Sequence, residues 1–328
     1  MNEAMKEILK KTVLTATIGI FVLSGCDVAQ TDKAKELSEE DLVLASSIIA
    51  SSLADEEGGV ISTFYDAFSG VTPQGLVFDQ IFAETKVETG IVDCGQYRDC
   101  DNGSGNRWGN RGESGFRADY DPETGEHTVH FVRSFERALV SKSMEVNAVY
   151  IFKDVDENYL AFPGRVREKV ETISYRGTRE GSMTRPLQSN AVFRADTLFF
   201  AGVSSESPVM TMEGVHHANG EMSMEIERPD YPTERSYTLF FEFDDVQMDK
   251  TVLDAGGSLE EAVTGFINYQ MSVSSVLGGE LIEEEFSGVI EFTGDGYAWL
   301  QFYRIPDFFR IALKDGSTAR NPNRGGTR

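Results

Sequence analysis

Four histidines are the natural first candidates for chemistry in this chain, because an imidazole changes charge near neutral pH and ligates metals. They fall into two pairs, His127 with His130 and His216 with His217. Both pairs lie in stretches that alternate like β-strands, where residues an odd number apart point to opposite faces. Neither pair can close on one ion or one substrate alone. A metal site would need one histidine from each pair plus a carboxylate, and surface or hairpin-end histidines are the expected arrangement.

The acids are abundant but poorly organised for catalysis. Asp99-Cys100-Asp101-Asn102-Gly103 opens like a calcium loop, since alternating oxygen ligands before a glycine can wrap a hard cation. The third ligand is missing at the fifth position, and no glutamate closes the loop at the twelfth; Glu113 is the nearest acid. Calcium at Asp99 and Asp101 therefore competes with an Asx-rich turn, and the expectation is no cofactor, with Ca2+ kept as the alternative. Asp244-Asp245 and Glu283-Glu284-Glu285 could flank a sugar as glycosidase carboxylates do, at roughly 5–10 Å. With 54 Asp and Glu, such pairs arise by abundance alone. The nucleophile-elbow GxSxG, the zinc-binding HExxH, the phosphate-binding Walker loop and SxxK are all absent. Gly103-Ser104-Gly105 lacks the third glycine of a dinucleotide fingerprint and reads as loop. A non-enzymatic role is the expectation, with a carboxylate-based hydrolase as one alternative.

The amino terminus is more informative. Lys6, Lys10 and Lys11 precede an uncharged, apolar run from Thr12 to Leu23, which is the layout of a secretory signal. The run is too short for an ordinary membrane span of about 20 residues. It ends in Leu23-Ser24-Gly25-Cys26, which resembles the lipobox of bacterial lipoproteins. The resemblance covers residues 1–26 alone and implies cleavage before Cys26, diacylglyceryl transfer to its thiol, and a mature chain held in the bacterial cell envelope by a lipid anchor. Asp27 resembles the inner-membrane retention signal of enteric lipoproteins; that rule is not general, so inner and outer membrane both stay open, as do periplasmic and surface-facing placement. With Cys26 assigned to lipid, Cys94 and Cys100 remain. In an oxidising compartment a local disulfide closing a small loop is the expected use. A catalytic or metal-binding pair is disfavoured by the lack of CxxC spacing and of a nearby histidine.

The net charge of −24 disfavours nucleic acid and anionic head groups, whose phosphates demand Lys and Arg. It leaves cations, basic partners, or simple solubility as the meaning of the acidic surface. With 328 residues, 40% of them hydrophobic, the chain can bury a large core.

Organisation follows from patterning. Residues 26–37 form a polar tether behind the lipidated cysteine. Ser38 with Glu39, Glu40 and Asp41 reads as a helix start, and Leu42, Ala45, Ile49 and Leu53, with Leu44 and Ile48 beside them, give an amphipathic helix. Gly58-Gly59 interrupts it before Val60, Ile61, Phe64, Tyr65 and Phe68 mark a second helical segment within residues 38–69. From Leu76 onward the period is two, clearest in 221–227. Asn219-Gly220, Gly278-Gly279 and Gly294-Asp295-Gly296 read as hairpin turns. The fold class expected is mainly β, with α+β character at the N-terminus: a large antiparallel meander, half-barrel or sandwich, with no helix between its strands and the N-terminal helices packed on it. One domain spans 38–314. Residues 93–115 form a long loop carrying Trp108, a candidate partner-contacting residue, and residues 315–328 a disordered tail.

In the last hairpin, a two-residue turn at Gly294-Asp295 or Asp295-Gly296 places Phe286, Ile290, Phe292, Tyr297, Trp299 and Tyr303 on one face. The other face is apolar too. Trp299, Phe292, Ile290 and Tyr303 thus become candidates to line an apolar ligand cavity. The expectation is an envelope lipoprotein that binds an apolar or amphipathic ligand or scaffolds an envelope assembly, with a surface adhesion or interaction protein as the rival.

Overall fold

The computed structural model describes residues 38–55, 58–68, 92–93, 114–137, 140–185, 188–224, 234–277, 279–303 and 305–321. Two helices, α1 (Glu39–Leu53) and α2 (Val60–Phe68), precede the strands. These are β1 (Val92–Asp93), β2 (Ser114–Asp121), β3 (Glu126–Arg137), β4 (Val140–Lys153), β5 (Thr172–Arg185), β6 (Gln188–Ala201), β7 (Val209–Met224) and β8 (Glu234–Asp249). Short helices α3 (Lys250–Asp254) and α4 (Leu259–Ala262) lead into β9 (Val263–Leu277), β10 (Glu280–Thr293), β11 (Tyr297–Phe302), β12 (Phe308–Ala312) and β13 (Thr318–Asn321). All strands form one 13-stranded antiparallel sheet in sequence order. The mainly-β meander with N-terminal helices is the architecture that the alternation and turn signals predict.

Alternation decides the two faces. On one face Phe152, Ile173, Phe200, Met212, Phe243, Ile267, Ile290, Leu300 and Ile311 are buried, and α2 packs on Phe200 and Phe243. Phe64 of α2 meets Phe200 at 6.0 Å and Phe243 at 6.2 Å between ring centroids, and Phe68 meets Phe200 at 4.9 Å, all edge-on. Each fully buried aromatic or aliphatic side chain contributes about 1.5–3 kcal/mol. Paired bulges bend the sheet beneath the helices: the register shifts between Met212 and Gly214 in β7 and between Phe243 and Gln247 in β8. Gly214 is obligatory there. Its φ is +145°, and a Cβ would stand 2.1 Å from the Thr197 carbonyl oxygen.

Four sequence expectations are corrected. Asn219-Gly220 is not a hairpin; β7 runs straight through it, pairing Asn219 with Phe193 and Thr238. The glycine is there for room: the Tyr237 ring covers it, and a Cβ would come within 2.2 Å of that ring. The strands are not free of helices, since α3 and α4 separate β8 from β9, and α4 starts with a capping box in which Ser258 and Glu261 bond reciprocally. The segment read as a disordered tail contains β13, whose Arg320 pairs with Asp307 at 2.6 Å and with Glu39 of α1. Gly278-Gly279, by contrast, does separate paired strands, with Leu277 opposite Glu280.

The fourth correction concerns the last hairpin. Phe292 pairs with Ala298 and Ile290 with Leu300, so the turn is the three-residue Gly294-Asp295-Gly296, with φ of +72° and +85° at its glycines. An odd loop length shifts the facing pattern by one residue. Ile290 and Phe292 therefore share the buried face with Leu300 and Phe302, while Trp299 and Tyr303 stand on the opposite face. The four candidate cavity residues do not converge. Phe292→Ala should lower the unfolding free energy by about 3–5 kcal/mol, and Trp299→Ala by less than about 1.5 kcal/mol, in urea titrations. Equal losses would contradict the three-residue phase.

Candidate functional site

The helix-covered face carries charge as well as hydrocarbon. Arg179 of β5 and Arg194 of β6 lie directly opposite each other in the sheet, and both are buried, 7% and 4% exposed. Like charges so placed destabilise a sheet unless something compensates. The compensation comes from the helices. Arg179 donates to the Gly58 carbonyl at 2.5 Å and to the Asp66 carboxylate at 2.6 Å. Arg194 donates to the same Gly58 carbonyl at 2.6 Å and to the Ser51 carbonyl at 3.2 Å. Burial works against the Arg179 charge, but Asp66, Tyr175 and Asp196 together hold its guanidinium above its ordinary value.

One row further along, Asp196 lies opposite His216 and accepts from its Nδ1 at 2.6 Å. Thr63 of α2 donates to the other Asp196 oxygen at 3.0 Å. Burial raises the cost of the Asp196 charge, yet His216, Arg179 and Thr63 outweigh it and keep this carboxyl below its ordinary range. His216 is fully buried, its ring stacked on Phe241 at 5.1 Å and its Nε2 unpartnered. An Asp–His–Thr sequence of contacts invites comparison with a catalytic triad. Here Thr63 donates to the aspartate rather than to the imidazole, and all three groups are buried, so the geometry is that of a latch between α2 and the sheet. Sequence reasoning passed over Arg179 and Asp196. The available signal was phase: Arg179 continues the core positions Ile173 and Tyr175, and Asp196 stands in register with Leu198 and Phe200.

The histidine pairs split as alternation requires, but not both members are at the surface. His127 is fully buried and donates Nε2–H to the Leu160 carbonyl at 3.0 Å, against Tyr120 and Phe152. Burial pushes its pKa down to about 4, only partly offset by that carbonyl. His130 faces outward and contacts Glu145 at 3.1 Å, and the exposed His217 lies against Phe240. No pair of these histidines shares a site. Cys26, Cys94, Cys100, Asp99, Asp101 and Trp108 lie outside the described residues. Glu283 and Glu285 are exposed and Glu284 is half-buried.

The opposite face, helix-free among the described residues, carries an open groove of about 790 Å³. It runs across the strands between two cross-strand rows. One row is Ser143, Ser182, Ala191, Glu221, Ser236 and Ser274; the other is Glu145, Glu180, Phe193, Asn219, Thr238 and Ser272. Ser143 and Ser182 hydroxyls bond at 2.7 Å, as do those of Thr238 and Ser272. Glu145 and Glu180 stand directly opposite each other, and among the described residues the lining holds no lysine or arginine. Small hydroxyls, an amide and three carboxylates line it together with Val132, Ala191 and Phe193, and residues of the row between, among them Gly181, Val192 and Gly220, form its floor.

Comparison of the chain with protein-family models, curated proteins and solved structures returns no match. Among the described residues no group of three or more His, Cys, Asp or Glu could hold a metal ion, and no helix is long and apolar enough to cross a membrane.

Two outcomes follow from the buried groups. Asp66→Asn leaves the Arg179 guanidinium without its nearest counter-charge and should cost on the order of 3 kcal/mol in denaturant titrations; a loss below about 0.5 kcal/mol would mean that the pair is not a clamp. His127 binds its proton less readily folded than unfolded, so the unfolded state holds more protons between about pH 4 and 6.5. Stability then rises with pH across that window, by about 3 kcal/mol in all. In His127→Phe the part of the slope above pH 5 should flatten; an unchanged slope there would remove His127 as its source.

Proposed function

We propose that the protein is a non-enzymatic, lipid-anchored envelope protein that works as an interaction module, with the helix-free face of its sheet as the working surface. The observation that supports this most is the asymmetry of the two faces. One is filled by the chain's own helices and locked by Arg179, Arg194 and Asp196; the other is open and carries the 790 Å³ groove. The apolar side chains that a carrier would offer to a lipid-like ligand are, among the described residues beneath α2, packed against Phe64 and Phe68 instead. This favours the scaffold or interaction branch over an apolar-ligand carrier.

The anchor rests on the lipobox-like Leu23-Ser24-Gly25-Cys26. Each acyl CH₂ contributes about 0.8 kcal/mol to membrane partitioning, so two or more chains suffice to hold the domain at a bilayer. In a bacterial host, the wild-type chain should sediment with membranes and be released by detergent, whereas Cys26→Ser should fractionate as a soluble protein. Cys26→Ser remaining in the membrane fraction would defeat the lipid-anchor reading.

A further inference from the structure

We propose that the groove binds an uncharged glycan chain laid across the strands, a reading that rests on the helix-free face being the working surface. The backbone beneath the groove is fully engaged. Strands β4 to β9 pair continuously with their neighbours at these rows, so no N–H or C=O ladder is free to receive an extended peptide by strand addition. Recognition must therefore come from side chains.

Those side chains match a polyhydroxyl ligand. Ser143, Ser182, Ser236 and Thr238 line it with hydroxyls; the Ser143–Ser182 and Thr238–Ser272 pairs each spend one donor and one lone pair on each other and keep one hydroxyl hydrogen and three lone pairs for a sugar. Glu145, Glu180 and Glu221 are acceptors only, and each can take hydroxyl donors in charge-assisted bonds. Asn219 adds both donor and acceptor, and the half-buried Phe193 offers an apolar surface for the C–H face of a ring. Among the described residues the lining holds three carboxylates and no lysine or arginine, which disfavours phosphorylated, sulfated or uronate-rich chains. From β4 to β9 the rows extend about 24 Å at roughly 4.8 Å per strand, room for several sugar units. Small residues along the floor keep it shallow enough for a flat chain.

The test titrates the full chain, purified in mild detergent, with short uncharged oligosaccharides of glucose, N-acetylglucosamine, mannose and galactose, and with oligolysine. At least one oligosaccharide should bind more tightly than about 1 mM. Ala191→Trp, which fills the floor at an exposed position, should abolish that binding, and Phe193→Ala should weaken it by about tenfold or more. Thr197→Trp, exposed on the same face outside the groove, should leave it unchanged, with all three variants melting within a few degrees of wild type. Oligolysine binding that Ala191→Trp blocks, without any oligosaccharide binding, would overturn the glycan assignment while keeping the face as the working surface. Absence of any binding sensitive to Ala191→Trp would overturn both.

Discussion

Two buried guanidiniums sharing one backbone carbonyl fix where the helices dock on this sheet. Arg179 and Arg194 sit side by side on neighbouring strands, and the helical segment supplies them with acceptors: the Gly58 carbonyl, the Ser51 carbonyl and hydroxyl, and Asp66. An isolated buried charge costs several kcal/mol, so the sheet cannot hold this pair of arginines without the helices docked on it. The α1–α2 junction must also adopt one shape. Gly58 has a φ of +68° and Gly59 packs so closely on α1 that a Cβ would lie 2.5 Å from the Ser52 carbonyl oxygen. Hydrophobic contact between Phe64, Phe68 and the sheet supplies most of the adhesion, but it is non-directional. The arginines, with Asp196 and Thr63, set where the helices stop sliding.

Docking the helices decides what the rest of the surface is for. Once one face is filled, recognition falls to the other, whose strands remain paired edge to edge and whose rows of serine and threonine leave a groove. The two faces are coupled through the alternation of each strand: Gly220 is bare so that Tyr237 can lie over it on the helix side, and its neighbours Asn219 and Glu221 line the groove behind it. A change that shifted the register of β7 by one residue would exchange core and groove together.

Much of the architecture was legible because alternation over long strands is a strong signal. The helical segment, its glycine interruption and the meander all follow from spacing. Phase at the turns was not legible. Gly294-Asp295-Gly296 supports two- or three-residue loops, and the difference inverts which aromatic side chains share a face; only the pairing of Phe292 with Ala298 decides it. Asn219-Gly220 has hairpin chemistry yet sits in mid-strand, because the cross-strand partner Tyr237, distant in sequence, determines that a glycine is needed. The groove was illegible for the same reason. Its rows draw one or two residues from each of several strands, so no segment of the sequence carries the motif.

The acidity of the chain gains a physical role on the proposed reading. A chain with 54 acidic against 30 basic residues is repelled by anionic head groups within a screening length of about 8 Å at physiological ionic strength. On the proposed reading a lipid anchor would hold the domain close while its own charge would hold it off. An acidic helix-free face, with Glu145, Glu180, Glu213, Glu221 and Glu242 exposed on it, would be the side least inclined to lie flat on the membrane. Charge and anchor together would keep that face turned toward whatever the groove binds.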